Sequence, residues 1–192
     1  LNLLSLSGNT CTDKKSSATN WINGRGKSLI AETILSKKVV NNILKSDIDA
    51  LVKLNYRKNL VGSSVAGTIG GFNAHASNII TSTFIATGQD VAQNVESSNC
   101  MTLFEKIDDD HLHVSVTLPS LEIGTIGGGT DLPVQSECLK MLGISKDSKL
   151  EPGEESKLLG KIIAGTVLAG EISLMSALSS NHLIESHMKL NR

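Results

Sequence analysis

The chain has 192 residues with 40% hydrophobic, 19% charged and 3% aromatic residues, and a formal net charge of −1. That length carries a real core and that composition excludes intrinsic disorder. The near-zero charge and scarce aromatics give no electrostatic or stacking basis for binding nucleic acid or an anionic membrane.

Leu1 to Leu6 is a short apolar run that reads as the end of a buried strand, and it lacks an initiator Met and a basic leader region. Ser7 to Ser17 is polar, carries the charged run Asp13-Lys14-Lys15, and reads as a loop. Leu29 to Ile34 has a strand pattern. Apolar residues from Lys37 to Leu54 fall at helical spacing, so this stretch predicts helices broken near Ser46-Asp47, a plausible cap. Gly62 to Gly71 is rich in small residues. It leads into Asn73 to Val95, expected as one long helix, central and packed on all sides because its residues are small or apolar around the whole circumference.

Met101 to Lys106 and His113 to Leu118 read as strands joined by the acidic turn Asp108-Asp109-Asp110. Leu132 to Leu142 predicts a short helix ended by Gly143, and Ser145 to Ser156 a charged loop containing Pro152-Gly153. Leu158 to Leu178 predicts a long helix. It approaches the length of a membrane span, but Glu171 lies inside it, which favours a buried helix. Cys11, Cys100 and Cys138 are odd in number and far apart, so they suggest neither a disulfide framework nor a zinc site.

Gly24-Arg25-Gly26-Lys27-Ser28 imitates the end of a phosphate-binding loop. The glycine that such a loop needs five positions before Gly26 is Trp21, and a strand rather than a helix follows. No G-x-G-x-x-G, H-E-x-x-H or G-x-S-x-G pattern occurs. His111 and His113 share one face of a strand but have no third ligand, so no metal is expected. Asp90, late in the expected long helix, should be partly buried and therefore paired. The four glycines of Gly124-Thr125-Ile126-Gly127-Gly128-Gly129-Thr130 allow either a tight turn or a close backbone approach to a ligand.

Five stretches occur in one order: Ser7-Gly8-Asn9 with Asp13-Lys14-Lys15; Asn73-Ala74-His75-Ala76; Gly88-Gln89-Asp90-Val91-Ala92-Gln93-Asn94; the glycine motif; and His182-Leu183-Ile184-Glu185-Ser186-His187-Met188. Together they resemble the eukaryotic class of 3-hydroxy-3-methylglutaryl-CoA reductase over essentially the whole chain. The resemblance implies reduction of a thioester to mevalonate and CoA with two NADPH. It implies catalytic roles for Lys14 as oxyanion partner, Asp90 in its hydrogen-bond network and His187 as proton donor to the CoA thiolate. Ser7, Asp13, Lys15, Lys58, His75 and Asn78 would bind the hydroxymethylglutaryl part, with Leu174 and Leu178 on its apolar side. Gln89, Gly127, Gly128, Gly129 and Thr130 would lie by NADPH.

The implied fold is α+β, with a mixed sheet and helices around a long buried central helix. Residues 1–6 would end a small inserted NADP-binding domain, 7–17 would be a catalytic connecting loop, and 18–192 a large substrate-binding and dimerisation domain. A further catalytic glutamate and most of the nucleotide module would lie upstream, leaving this segment inactive alone. A homodimer or tetramer with the site between subunits is implied, as is a cytosolic-facing domain of an endoplasmic reticulum membrane protein whose anchor is elsewhere. A non-catalytic CoA-binding or dimerising homologue is the alternative.

Overall fold

A computed structural model describes residues 2–145 and 150–180. After helix α1 (Ala18–Ile22), strand β1 (Lys27–Ser36) runs into helix α2 (Lys37–Asn42). The Ser36 side chain accepts the Val39 N–H and so starts α2. Helix α3 (Ile48–Leu54) begins where Asp47 accepts the Ala50 N–H at 2.8 Å, at the expected break. It continues as a π-helical stretch (Asn55–Gly62) and helix α4 (Ser63–Val65). Strand β2 (Gly71–Phe72), helix α5 (Ala76–Thr87) and helix α6 (Asn94–Ser97) follow. Strands β3 (Cys100–Lys106) and β4 (His111–Leu121) form the expected pair. In the acidic turn Asp108 accepts the Asp110 N–H at 2.8 Å. Helix α7 (Pro133–Met141) and the 26-residue helix α8 (Glu154–Ser179) complete the described chain.

The sheet order is β1-β4-β3-β2. β1 and β3 flank β4 antiparallel, and β2 joins β3 parallel, so the sheet is mixed as expected. Leu112, Val114, Val116 and Leu118 of the inner strand β4 are fully buried. They meet Leu159, Ile163 and Val167 of α8 and Ile80 and Phe84 of α5 in one core. Each such side chain contributes about 1.5–3 kcal/mol of transfer free energy.

The expected helix from Asn73 to Val95 is corrected to α5 alone plus short turns. Gly88 takes the left-handed conformation at φ 71°, and the Gly88 and Gln89 N–H groups both turn back to the Phe84 carbonyl. Asp90 then caps a 3-10 turn at Val91–Gln93. Nor is α5 packed all round, since Ile85 is 56% exposed.

The long central helix is α8 instead. It is long and apolar enough to cross a membrane by length and composition alone. Here its buried residues, from Leu159 through Glu171 to Ser176, form one stripe against β1, β4, α3 and α5. Asn2 to Leu6 is not the expected buried strand: Leu4 and Leu6 are almost fully exposed, because no described strand lies beside them to supply hydrogen bonds or cover.

Candidate active site

The charged loop delivers Lys14 in a left-handed backbone conformation, φ 56°, which a residue with a Cβ adopts only under constraint. The constraint is visible. The Lys14 N–H donates to Oε1 of the fully buried Glu96 at 3.0 Å, and the Asn20 side chain holds the Lys15 carbonyl at 3.0 Å. With its backbone held from behind, Lys14 points its ammonium outward, 2.8 Å from Asp90 Oδ2. Hydrogen bonding and charge from Asp90 push the Lys14 pKa up, and the ammonium in turn holds the Asp90 carboxyl below its ordinary range. Both groups are charged at neutral pH. Asp90, expected to be partly buried within a helix, is instead half-exposed at the mouth of a turn, where the lysine reaches it.

Beneath this pair lies a cluster of which only Asp13 is expected at the site from the sequence. Arg25 contacts three carboxylates: Asp13 at 3.2 Å, Glu96 at 3.8 Å, and Glu122 in a short pairing through Nε. Gln93 donates to Asp13 at 3.2 Å and to Glu122 at 2.8 Å. Three carboxylate oxygens within 4.8 Å of one another resemble a metal-binding set. The guanidinium already occupies the cation's place, so the cluster is an organic counterpart of a metal site. Burial, reinforced by the hydrogen bond that the protonated carboxyl gives to Glu96, pushes Glu122 up to about 7 against the opposing pull of Arg25. The hydrogen bond from Gln93 comes first in holding Asp13 low.

Asp90 also borders a cavity of about 300 Å³ lined by Gly88, Gln89, Gly124, Gly127, Gly128 and Thr130 among others. Its wall depends on missing side chains. A Cβ on Gly88 would lie 2.3 Å from the Gly129 carbonyl oxygen, so the two backbones interlock. The Gln89 amide is committed to that wall, donating to the Gly124 carbonyl at 2.9 Å and accepting its N–H at 2.8 Å. Thr130 closes the glycine turn through the Gly127 carbonyl at 2.6 Å.

The structure thus brings Asp13, Lys14, Asp90, Gln89 and the glycine motif together. Lys15 turns back onto the Asp13 carbonyl. His75 and Asn78 stand at the start of α5, where the His75 ring meets Glu171. Ser7 is exposed and bonds to Ser5, and Lys58 is exposed on the π-helical stretch. Leu174 and Leu178 are half-buried on the last turns of α8. No hydrogen bond or ion pair among the described residues joins these four to the Lys14 cluster. His187 lies outside the described residues.

The protein is of the α+β class, with an ammonium–carboxylate pair at the edge of a glycine-walled cavity. Comparison makes the assignment specific. The family model described as "Hydroxymethylglutaryl-coenzyme A reductase" matches residues 1–192, and the chain belongs to that family. It is 57% identical over 193 residues to 3-hydroxy-3-methylglutaryl coenzyme A reductase 1 of Cannabis sativa, covering all of this chain and 34% of that protein. It is 59% identical over 194 residues to the 3-hydroxy-3-methylglutaryl-coenzyme A reductase of Blattella germanica, covering 23% of that protein. Against reductase 2 of Hevea brasiliensis the identity is 57% over 193 residues and 92% of that protein. The chain spans about a third of the length of several curated plant relatives.

Proposed function

We propose that this chain supplies the substrate-binding part of an oxidoreductase that takes 3-hydroxy-3-methylglutaryl-CoA to mevalonate and CoA with two NADPH. The observation that carries the reading is the Lys14 ammonium, 2.8 Å from Asp90 at the edge of the glycine-walled cavity. Reduction of a thioester carbonyl builds negative charge on oxygen, and a fixed cation lowers that barrier. The upward shift of its pKa keeps Lys14 a cation, so it acts by charge rather than by giving up its proton. Asp90 orients the ammonium and leaves one side of it open. Collapse of the resulting thiohemiacetal breaks the C–S bond, and His187 would protonate the departing thiolate. A second reduction turns the aldehyde into the alcohol over the same lysine.

NADPH supplies hydride when bound. The cavity suits its nicotinamide end: the interlocked glycines leave bare backbone as a wall, and the Asp90 carboxylate favours a ring that becomes positive. Among the described residues no Lys or Arg lines this cavity, so its phosphates need groups from elsewhere. The same proposal includes a further catalytic glutamate and the nucleotide module in a segment preceding residue 1. It also includes a dimer or tetramer that shares the site between subunits, and residence at the cytosolic face of the endoplasmic reticulum. Ile30 and Ile34, 68% and 61% exposed on the outer side of β1, support a face that is covered on assembly.

The test uses the full-length protein containing this chain and follows NADPH loss and thiol release on hydroxymethylglutaryl-CoA. Two NADPH consumed per thiol released supports the reading. A folded oligomer that binds the CoA ester without turnover favours a non-catalytic homologue instead.

A further inference from the structure

Glu171 is a fully buried carboxyl in the middle of α8, among Val167, Leu168 and Met175. A buried carboxyl without partners is costly. Here three donors and one ring nitrogen reach it. Oε2 accepts the Ala74 N–H at 2.7 Å and the Thr102 hydroxyl at 2.8 Å. Oε1 accepts the His75 N–H at 2.8 Å and lies 3.1 Å from His75 Nδ1. Three assigned donors, two of them backbone N–H groups, favour the carboxylate form, which only accepts.

An acceptor-only partner at Nδ1 dictates the histidine. The Nδ1 atom must carry the hydrogen, and Nε2 is left as the atom free to meet a ligand. Nε2 makes no hydrogen bond among the described residues, and the ring is 20% exposed. Gly170 permits this placement. A Cβ there would press on Ile79 at 3.0 Å and lie 3.4 Å from His75 Cε1. α8 thus offers a bare spot for the ring and, one residue later, the carboxylate that turns it.

We infer that Glu171 is a positioning residue: through Nδ1 it fixes the tautomer and direction of His75, so that Nε2 faces the acyl part of the bound thioester. This rests on the substrate-site reading of His75 given above. The carboxylate also ties the first turn of α5 to β3 and α8, so the histidine is aimed by the core and not by a loop.

The experiment uses the full-length reductase with ¹⁵N-labelled histidine, at a pH where the ring is neutral. Long-range proton–nitrogen correlation should show His75 as the Nδ1–H form, identified by its loss in His75→Ala. An Nε2–H form in the unsubstituted protein would overturn the inference, and that readout does not depend on any variant folding. In Glu171→Gln the KM for hydroxymethylglutaryl-CoA should rise by about tenfold, the weight of one charge-assisted hydrogen bond. That rise should vanish when Glu171→Gln is combined with His75→Ala. An equal rise in both backgrounds would mean a merely structural role and sink the proposal. An unchanged KM in His75→Ala alone, with the Nδ1–H form present, would instead remove the substrate-site reading of His75 and leave the geometry intact.

Discussion

Gly88→Ala tests the wall of the cavity most directly. The substitution meets two separate penalties. The first is backbone: Gly88 sits at φ 71°, where a residue with a Cβ costs about 1–2 kcal/mol. The second is space. The new methyl would lie 2.3 Å from the Gly129 oxygen, 2.4 Å from its carbonyl carbon and 2.8 Å from the Thr130 nitrogen. These are backbone atoms that cannot swing away, so the glycine turn must move, at about 1–3 kcal/mol. The sum is about 2–5 kcal/mol, or a fall in Tm of roughly 5–15 °C for a protein of this size. Gly67→Ala separates the two terms. Gly67 has the same φ of 71°, in the turn that ends α4, but nothing lies within 4 Å of its Cβ. Thermal unfolding by circular dichroism should therefore rank Gly88→Ala clearly below Gly67→Ala, with Gly67→Ala a few degrees below the parent. Equal melting temperatures for the two variants would refute the interlocked wall.

Lys14→Met in the full-length protein should remove nearly all thioester reduction, by about 100-fold or more, while the melting temperature barely moves, since the ion pair is half-exposed; near-normal turnover would displace Lys14 from the chemistry. Glu122 gives a pH signature. Its carboxyl is raised from 4.5 to about 7 in the fold, so the native state holds a proton that the unfolded chain releases, and stability should fall as pH rises through that window. In Glu122→Gln the decline over this window should be absent; an unchanged slope in denaturant titrations would count against the shift. Arg25→Ala leaves Asp13, Glu96 and Glu122 without their shared cation and should cost about 3–5 kcal/mol. Added Ca²⁺ should then raise the Tm of that variant and not of the parent; no response would show that the three oxygens are not poised for a cation.

Local signals in the sequence carried much of this fold. The β3–β4 pair was legible because Leu112, Val114, Val116 and Leu118 alternate with residues of the other face and a run of aspartates marks the turn. The break before α3 was legible because Asp47 is a cap by chemistry as well as by position. The end of α5 was not, because Gly88 was read as one more small residue when its left-handed backbone makes it a stop. At the site, the order of motifs pointed to Lys14 and Asp90, and they do meet. The Arg25 cluster stayed hidden because its members come from separate elements, with Arg25 and Glu122 97 residues apart. A signal for it was present in Gly24-Arg25-Gly26. Both glycines have positive φ, and a Cβ on Gly26 would fall 2.4 Å from the Leu121 carbonyl oxygen. The tight turn that imitates a phosphate loop is the device that brings Arg25 beside Glu122. Lys58 and Leu174 offered no local cue beyond resemblance.

The way Lys14 is held has a consequence for how a ligand arrives. Its backbone is pinned from the interior by Glu96, and its ammonium is latched at the surface by Asp90. A side chain tethered at both ends has surrendered much of its torsional freedom before any encounter. An incoming carbonyl oxygen therefore need not recruit a wandering cation. It has only to share one already in station, and a rotation about the outermost bonds of the side chain is enough to turn the charge towards it while the loop stays still.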